Sequence, residues 1–204
     1  NVPVPGAKDE LNANPIFKRT EFNTSQEFKD YIKFRIAVVN TDTPLVDNVI
    51  QFRAFLSDLS DNYTGNWNSY KYNGRAEEFY TYAGFQRGIN FNFKIHTQTR
   101  EEQTPLWNKL NFLVAQTAPQ YKNNRMRGVF SRLTIGDWMD EIPGFFTSVG
   151  LNWTTAYPWE IKQDPELDKD VKQYPHILDV SCTFQPIHNF APSNSKTTPF
   201  IARA

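Results

Sequence analysis

The sequence lacks the features that mark a disulfide-rich, zinc-binding or membrane-spanning protein. It has one cysteine, Cys182, so neither an intramolecular disulfide nor a cysteine-rich zinc site can form. No apolar run approaches the roughly 18–20 residues that cross a bilayer. No charged segment followed by an apolar one opens the sequence, so we expect no signal peptide. Basic and acidic residues number 22 each, and this zero net charge argues against a dedicated nucleic-acid-binding protein.

Signatures of catalytic and cofactor sites are also missing. The three histidines, His96, His176 and His188, do not form a zinc-binding array, and neither a P-loop nor a serine-nucleophile elbow occurs. Carboxylates cluster at 77–78, 101–102, 137–141 and 164–170. Runs of charge are usually solvated, however, and a glycosidase needs two carboxylates that converge in a cleft. We therefore expect no enzyme activity, no metal and no cofactor.

What the sequence does contain is a two-residue alternation of apolar and polar side chains. The pattern recurs in 32–38, 50–56, 89–95, 129–135, 145–153 and 177–184, and it predicts strands with one buried face. In the last of these, Cys182 is predicted to point inward as a small apolar group. Sheets with one apolar and one polar face are typically antiparallel.

One segment has helical spacing instead. Leucines at 106, 110 and 113 predict a helix over about 105–117, ended by Pro119. Two starts are open: Thr104 as an N-cap before Pro105, or a capping box of Thr99 and Glu102 one turn earlier. One helix covers little of a sheet. The sequence therefore predicts a mainly β fold of two packed antiparallel sheets, a sandwich or barrel, with one helix against it.

Proline-rich segments without a sustained period flank this domain. They predict an N-terminal arm at 1–29 and a C-terminal arm at 191–204 around a β domain at 30–190. Short aromatic anchors stand in or beside both arms: Phe17, Phe22, Phe190 and Phe200. The arms are therefore either mobile tails or extended arms that lie on a neighbouring molecule.

The segment 58–88 interleaves aromatic residues with asparagine and glycine. Tyrosine and tryptophan have an apolar body and a polar tip, which suits a surface that is wet in one state and buried in another. The alternative is that half of these aromatics fill the core. We predict an extended contact loop, and a hairpin or bulge at 84–88 before the strand at 89–95. The candidate inter-subunit contacts are Tyr63, Trp67, Tyr70, Tyr72, Arg75, Phe79 and Tyr80.

Several stretches of the chain resemble a known family. They lie between about residues 30 and 190 and include Tyr72-Asn73-Gly74-Arg75-Ala76, Pro105-Leu106-Trp107-Asn108, Leu133-Thr134-Ile135-Gly136-Asp137 and Phe184-Gln185-Pro186-Ile187-His188. In these stretches the sequence resembles the tail-tube-like baseplate and tube-initiator proteins of contractile-tailed bacteriophages. The arm before residue 30 matches nothing in that family.

The resemblance implies a structural virion protein. Members of that family pack two antiparallel sheets with one outer helix, and six identical or homologous copies form a ring whose inner strands join into one β-barrel. Loops and arms stack the rings, and DNA passes through the lumen during genome ejection without specific binding. The implied location is the tail or baseplate of the virion, assembled in the host cytoplasm, with neighbouring tube or hub proteins as partners and no membrane. Our candidates for the lumen-facing side are Asn90, Asn92, Lys94 and His96.

Two other functions remain open. Trp67, Tyr70 and Tyr72 could form the stacking platform of a carbohydrate-binding β-sandwich. A wall-degrading hydrolase could use Glu77 or Glu78 as its acid.

Overall fold

The computed structural model describes residues 8–22, 32–39, 47–164, 166, 169, 171–196 and 198–201. Residues 1–7, 23–31 and 40–46 lie outside the described residues, and the last of these ranges falls between the strands predicted at 32–38 and 50–56. The described residues form one long helix, α3 (Arg100–Ala115), and two four-residue helical segments, α1 (Glu10–Ala13) and α2 (Arg19–Phe22). The strands are β1 (Phe17–Lys18), β2 (Phe34–Val38), β3 (Asn48–Gln51), β4 (Ala54–Lys71), β5 (Glu78–His96), β6 (Gln120–Lys122), β7 (Arg125–Arg127), β8 (Ser131–Ile135), β9 (Met139–Asn152) and β10 (Ile177–Pro186).

Eight strands form a single antiparallel sheet in the order β1-β3-β2-β8-β9-β10-β5-β4, and β6 and β7 form a separate hairpin. The mainly β, antiparallel class is therefore confirmed, but one curled sheet stands where two separate sheets were predicted. Three strands separate β2 from β5, yet the rings of Phe34 and Phe93 pack with centroids 5.0 Å apart. The two halves of the sheet thus face each other across the core. The end strands β1 and β4 are not paired with each other in the described residues, so the sheet does not close into a barrel.

A corner between β3 and β4 explains the curl. β3 lies second in the sheet and β4 lies last, yet only Phe52 and Arg53 connect them. The alternation through 50–56 predicted one continuous strand there, and this prediction was wrong. Phe52 fills the core, while the Arg53 side chain pairs with Asp9 and its backbone N–H donates to the Asn12 side chain at 3.3 Å. Burial thus continues from Ile50 to Phe52, although the strand β3 ends at Gln51.

The core lies between the two halves of the curled sheet and beneath α3. On β5 the alternate residues point inward as predicted, and so does Cys182 on β10. The core side chains of the sheet are Phe34, Ile36, Ile50, Phe52, Ile89, Phe91, Phe93, Ile95, Leu133, Ile135, Met139, Phe146, Leu178, Val180, Cys182 and Phe184, and α3 adds Leu106, Leu110 and Leu113.

The helix α3 uses the earlier of its two predicted starts. It begins at Arg100 after Thr99, so Thr104 and Pro105 lie inside it rather than at its start. The buried Glu102 carboxylate accepts hydrogen bonds from the Thr99 hydroxyl at 2.9 Å and from the backbone N–H of Gln98 at 3.3 Å. These bonds tie the residues just before the helix to its first turn and so favour the earlier start, although the Thr99 side chain caps no backbone N–H.

The N-terminal segment, residues 8–22, packs on this same chain. Lys109 of α3 is buried, and its Nζ donates to the carbonyls of Leu11 at 2.8 Å and Gln51 at 2.9 Å. The Asn12 amide donates to the carbonyl of His96 at 2.9 Å. Burial lowers the pKa of Lys109 to about 7. These contacts fasten α1 over one end of the core, and β1 adds a short strand beside β3.

None of the helices in the described part of the chain has the length and apolar character needed to cross a membrane.

Candidate assembly surface on the projecting hairpin

β4 and β5 extend well beyond the rest of the sheet. β10 pairs with β5 only over 89–96, whereas residues 62–71 and 78–88 pair only with each other. The predicted contact loop is thus a two-stranded hairpin, which we call the projecting hairpin (residues 62–88). At about 3.3 Å per residue, its ten-residue β4 strand spans roughly 30 Å. Gly74 in its turn has a φ of 85°, a conformation that glycine adopts without strain.

One face of the projecting hairpin continues the core-facing side of the sheet. Trp67 lies directly opposite Tyr82, and their rings meet edge to face at 5.1 Å. A side chain on Gly65 would contact these same two rings, so all three residues share a face. One extra residue, Ala83, bulges from β5 and brings Tyr82 and Phe85 to the same side. This inner face carries Tyr63, Trp67, Tyr80, Tyr82, Phe85 and Arg87.

The other face of the projecting hairpin is mostly polar. Alternation places the amides and hydroxyls of Asn62, Thr64, Asn66, Asn68, Thr81 and Gln86 on it. Tyr70 and Phe79 join this outer face only near the tip. The hairpin is therefore amphipathic, with aromatic side chains concentrated on its inner face.

A buried ion pair fixes the base of the projecting hairpin. The Arg87 guanidinium donates to both carboxylate oxygens of Asp61, at 2.8 and 2.6 Å, and both side chains are only 2% exposed. The Tyr63 hydroxyl donates to Asp61 at 2.8 Å, and the Arg87 guanidinium lies over the Tyr63 ring. Burial and the bond to Asp61 raise the pKa of Tyr63 to about 12.

The C-terminal segment (residues 187–196 and 198–201 as described) covers this base of the inner face. The Phe200 ring packs on Phe85 at 5.5 Å and on Tyr63 at 5.9 Å, and Phe190 and His188 complete the cluster. Phe190 and Phe200, predicted as anchors, thus lie on their own chain. Beyond them the inner face is uncovered: Trp67 is 61% exposed, Tyr80 63% and Tyr82 56%.

The structure divides the predicted contact residues into groups. Trp67 and Tyr80 share the inner face, and Tyr63 lies at its covered base. Tyr70 and Phe79 lie on the outer face, where Tyr72 and Arg75 from the turn pack against Phe79, with ring centroids at 5.4 Å and the guanidinium carbon 5.6 Å from the ring.

Sequence reasoning missed Tyr82, Phe85 and the Asp61–Arg87 pair as parts of the site. The aromatic residues were visible in the sequence, but the face they occupy depends on the bulge at Ala83. The ion pair depends on the strand register, which brings residues 26 positions apart into contact.

The four lumen-facing candidates share the outer face of the sheet. Asn90 and Asn92 are exposed, and the Asn92 amide donates to Asp58 at 3.3 Å. Lys94 contacts the Tyr157 hydroxyl at 2.7 Å and Asp179 at 3.5 Å, while His96 is half-buried. The structure therefore brings them to one polar surface.

The remaining candidates for chemistry lie apart from one another. Glu77 and Glu78 are exposed at the tip of the projecting hairpin, and Glu77 pairs with Arg75 at 3.9 Å. The His176 ring lies 3.3 Å from the Glu160 carboxylate beside α3. Within the described ranges, no group of three or more histidine, cysteine, aspartate or glutamate side chains is placed to hold a metal ion.

Comparison of the sequence with known protein families finds no match, and comparison with curated proteins finds none either.

Proposed function

We propose that this chain is a structural protein of a phage tail that associates with copies or homologues of itself into a ring, building or initiating the tail tube at the baseplate. The observation that carries the proposal is the projecting hairpin, an amphipathic pair of strands whose aromatic inner face is left exposed over its outer half by the described part of the chain. In this proposal, the curled sheet with its helix is a tail-tube-like domain.

The edge of the sheet supports self-association. β4 is an end strand of 18 residues, and in the described residues no strand pairs with its outer side. A long unpaired edge invites pairing with another chain, and soluble proteins normally shorten, cover or charge such edges. Closure of copies into a ring gives every edge a partner, because each subunit then pairs with the next.

The inner face supplies a second driving force. Trp67, Tyr80 and Tyr82 are each more than half exposed, and aromatic side chains bury roughly 150–250 Å² when covered completely. At about 25 cal/mol per Å², covering these three against a neighbour contributes several kcal/mol before the cost of association is subtracted. The hydroxyl groups of the tyrosines can still hydrogen-bond to water while the chain is isolated.

The polar outer face of the sheet suits the wall of a DNA channel. Asn90 and Asn92 present uncharged amides, Lys94 is paired with Asp179, and the whole chain has no net charge. A dense row of unpaired cations would bind phosphates and slow the passage of DNA. We therefore assign this face to the lumen within the proposal.

Paired substitutions test the role of the inner face. We expect Trp67→Ser with Tyr82→Ser to abolish rings or tubes in sedimentation velocity and negative-stain images, because the face that needs a partner is removed. Tyr70→Ser with Phe79→Ser, on the outer face of the same hairpin, is the matched control and should have a smaller effect. Both proteins should keep the far-ultraviolet circular dichroism of the unmodified chain.

Two results would overturn the proposal. One is undiminished assembly by a folded Trp67→Ser/Tyr82→Ser protein. The other is a monomer that binds glycans on an array and loses that binding with Trp67, which would establish the carbohydrate-binding alternative.

A further inference from the structure

A second surface lies beside the base of the projecting hairpin. It is a cavity of about 560 Å³ between the C-terminal segment and the turn from β8 to β9. Its apolar side chains include Trp138, Ile142, Phe190 and Phe200. A cavity of this size, within the range of about 300–1,000 Å³ typical of ligand sites, can hold several side chains.

The mouth of the cavity is acidic. Glu141 is held by Arg19 at 2.5 Å, and Asp137 is almost fully exposed, with Lys33 3.8 Å away. Asp140 is exposed and makes no ion pair in the described part of the chain. Arg87, which reaches the floor, is already neutralised by Asp61. The charge left at this surface is therefore negative.

His188 lines the cavity, but its Nε2 is shielded from solvent and has no hydrogen-bond partner among the described residues. The recognition chemistry of the cavity therefore comes from its carboxylates and its apolar side chains. An acidic mouth and apolar walls together favour a basic segment of polypeptide that also carries apolar side chains.

The chain itself carries such a segment. The β6–β7 hairpin has all six strand residues exposed, and Asn123 and Asn124 form its turn with φ of 50° and 58°. Its register places Tyr121 opposite Met126 on one face and three cations on the other: Lys122, Arg125 and Arg127. The hairpin thus offers apolar side chains and cations, which are the groups that the cavity accommodates.

The two surfaces lie at opposite ends of β8. The β6–β7 hairpin leads into Ser131 at the start of this strand, and the turn that borders the cavity follows Ile135 at its end. Five residues at about 3.3 Å each separate the two ends by roughly 13–17 Å. A hairpin and a cavity placed in this way match head to tail, which is the arrangement that builds rings or stacks rather than closed two-fold dimers.

We propose that the β6–β7 hairpin of one copy inserts into the Asp140-rimmed cavity of a second copy, so that copies join head to tail. The inference rests on the proposed function only in taking a second copy as the partner. Of the projecting hairpin, only Arg87 at its base lines this cavity.

Charge reversal tests it. In sedimentation velocity at low salt, we expect Arg125→Glu or Asp140→Lys to weaken self-association about tenfold, because each places like charges together. Mixing these two variants should restore association, since the glutamate introduced in one chain then meets the lysine introduced in the other and the remaining pair is unmodified. Rescue in the mixture requires contact between chains, and a structural defect within either chain cannot produce it.

Lys162→Glu, an equal change of charge at an exposed residue outside both the cavity and the projecting hairpin, is the control and should leave this contact unchanged. Unaltered association of both single variants, or failure of the mixture to recover, would overturn the inference, as would a wild-type chain that stays monomeric at every concentration. If Trp67→Ser/Tyr82→Ser abolishes rings while Arg125→Glu does not weaken association, the proposed function stands and this contact is wrong. If Arg125→Glu weakens association while Trp67→Ser/Tyr82→Ser leaves rings intact, this contact stands and the proposed role of the inner face is wrong.

Discussion

The two ends of the curled sheet are finished in different ways. At the end that holds α3, the N-terminal segment closes over the core, and Leu11, Asn12 and Lys109 are buried with their polar groups bonded. At the opposite end of the strands, where the projecting hairpin lies, the described C-terminal residues cover its base, and Trp67 and Tyr82 are exposed to solvent.

This difference shows that one chain can satisfy its own polar groups at one end and leave an aromatic face at the other. A surface of that kind is unusual in a protein that acts alone, because contiguous exposed apolar patches mark interaction sites. Four experiments sharpen or break the comparison, and they are given from the largest expected effect to the smallest.

Truncation at the closed end should be the most damaging. We expect Leu11→Ala to lower the free energy of unfolding by about 2–5 kcal/mol, because it leaves a cavity where α1 meets the core. Trp67→Ala in the open half should stay within about 0.5 kcal/mol in the monomer. Urea unfolding measures both, and equal losses would contradict the distinction between the two ends.

Breaking the ion pair at the base tests whether the boundary between covered and open hairpin is structural. Asp61→Ala leaves Arg87 as a buried, unpaired charge, and we expect a loss of about 3 kcal/mol or more in the free energy of unfolding. Glu77→Ala removes the exposed pair with Arg75 at the tip and should cost about 0–1 kcal/mol. A cost at Asp61 no larger than that at Glu77 would show that the base is as loosely held as the tip.

Lys109 makes the closed end sensitive to pH. Its pKa is about 7 in the folded chain, against about 10.4 when unfolded. Between these values the unfolded chain binds more protons, so the free energy of unfolding should rise with pH from about 7 to about 10. The gain is on the order of a few kcal/mol at most. Urea unfolding across this range measures it, and Lys109→Met should flatten the rise; an identical slope in that variant would contradict the assignment.

Tyr63 reports on the cover supplied by the C-terminal segment. Its phenol should ionise near its pKa of about 12. Phe200→Ala removes the ring packed against it, so the pKa of Tyr63 should fall towards the ordinary value of about 10. Ultraviolet absorbance during alkaline titration measures this shift, with circular dichroism to verify the fold. An unchanged titration would show that Phe200 does not shield the base.

The alternation of apolar and polar residues predicted which faces of the central strands are buried. Residues 89–96 of β5 and 178–185 of β10 alternate strictly between apolar and polar, and the buried faces there are the predicted ones. The sequence left two possible starts for α3, and the structure has the earlier one, at which Glu102 is buried. The Glu102 carboxylate also accepts a hydrogen bond from the backbone N–H of Asp9 at 2.8 Å. That contact joins residues 93 positions apart, and no local pattern contains it.

The candidate site shows the same division. The sequence identified the aromatic segment, but it predicted a loop and treated its members as one set. Strand pairing turned the segment into a hairpin, and the bulge at Ala83 sorted Trp67 and Tyr82 onto one face and Tyr70 and Phe79 onto the other. A single extra residue reverses every later side chain of a strand, so composition cannot predict this sorting.

By itself, the sequence determined the mainly antiparallel β class, the buried faces of its strands and the aromatic richness of residues 58–88, since each follows from residue type and short-range periodicity. The tertiary structure alone decided the corner at Phe52 and Arg53, the closure of one end by Lys109, and the aromatic face left open at the other. These features depend on contacts between distant residues, and such contacts form only when the whole sheet curls.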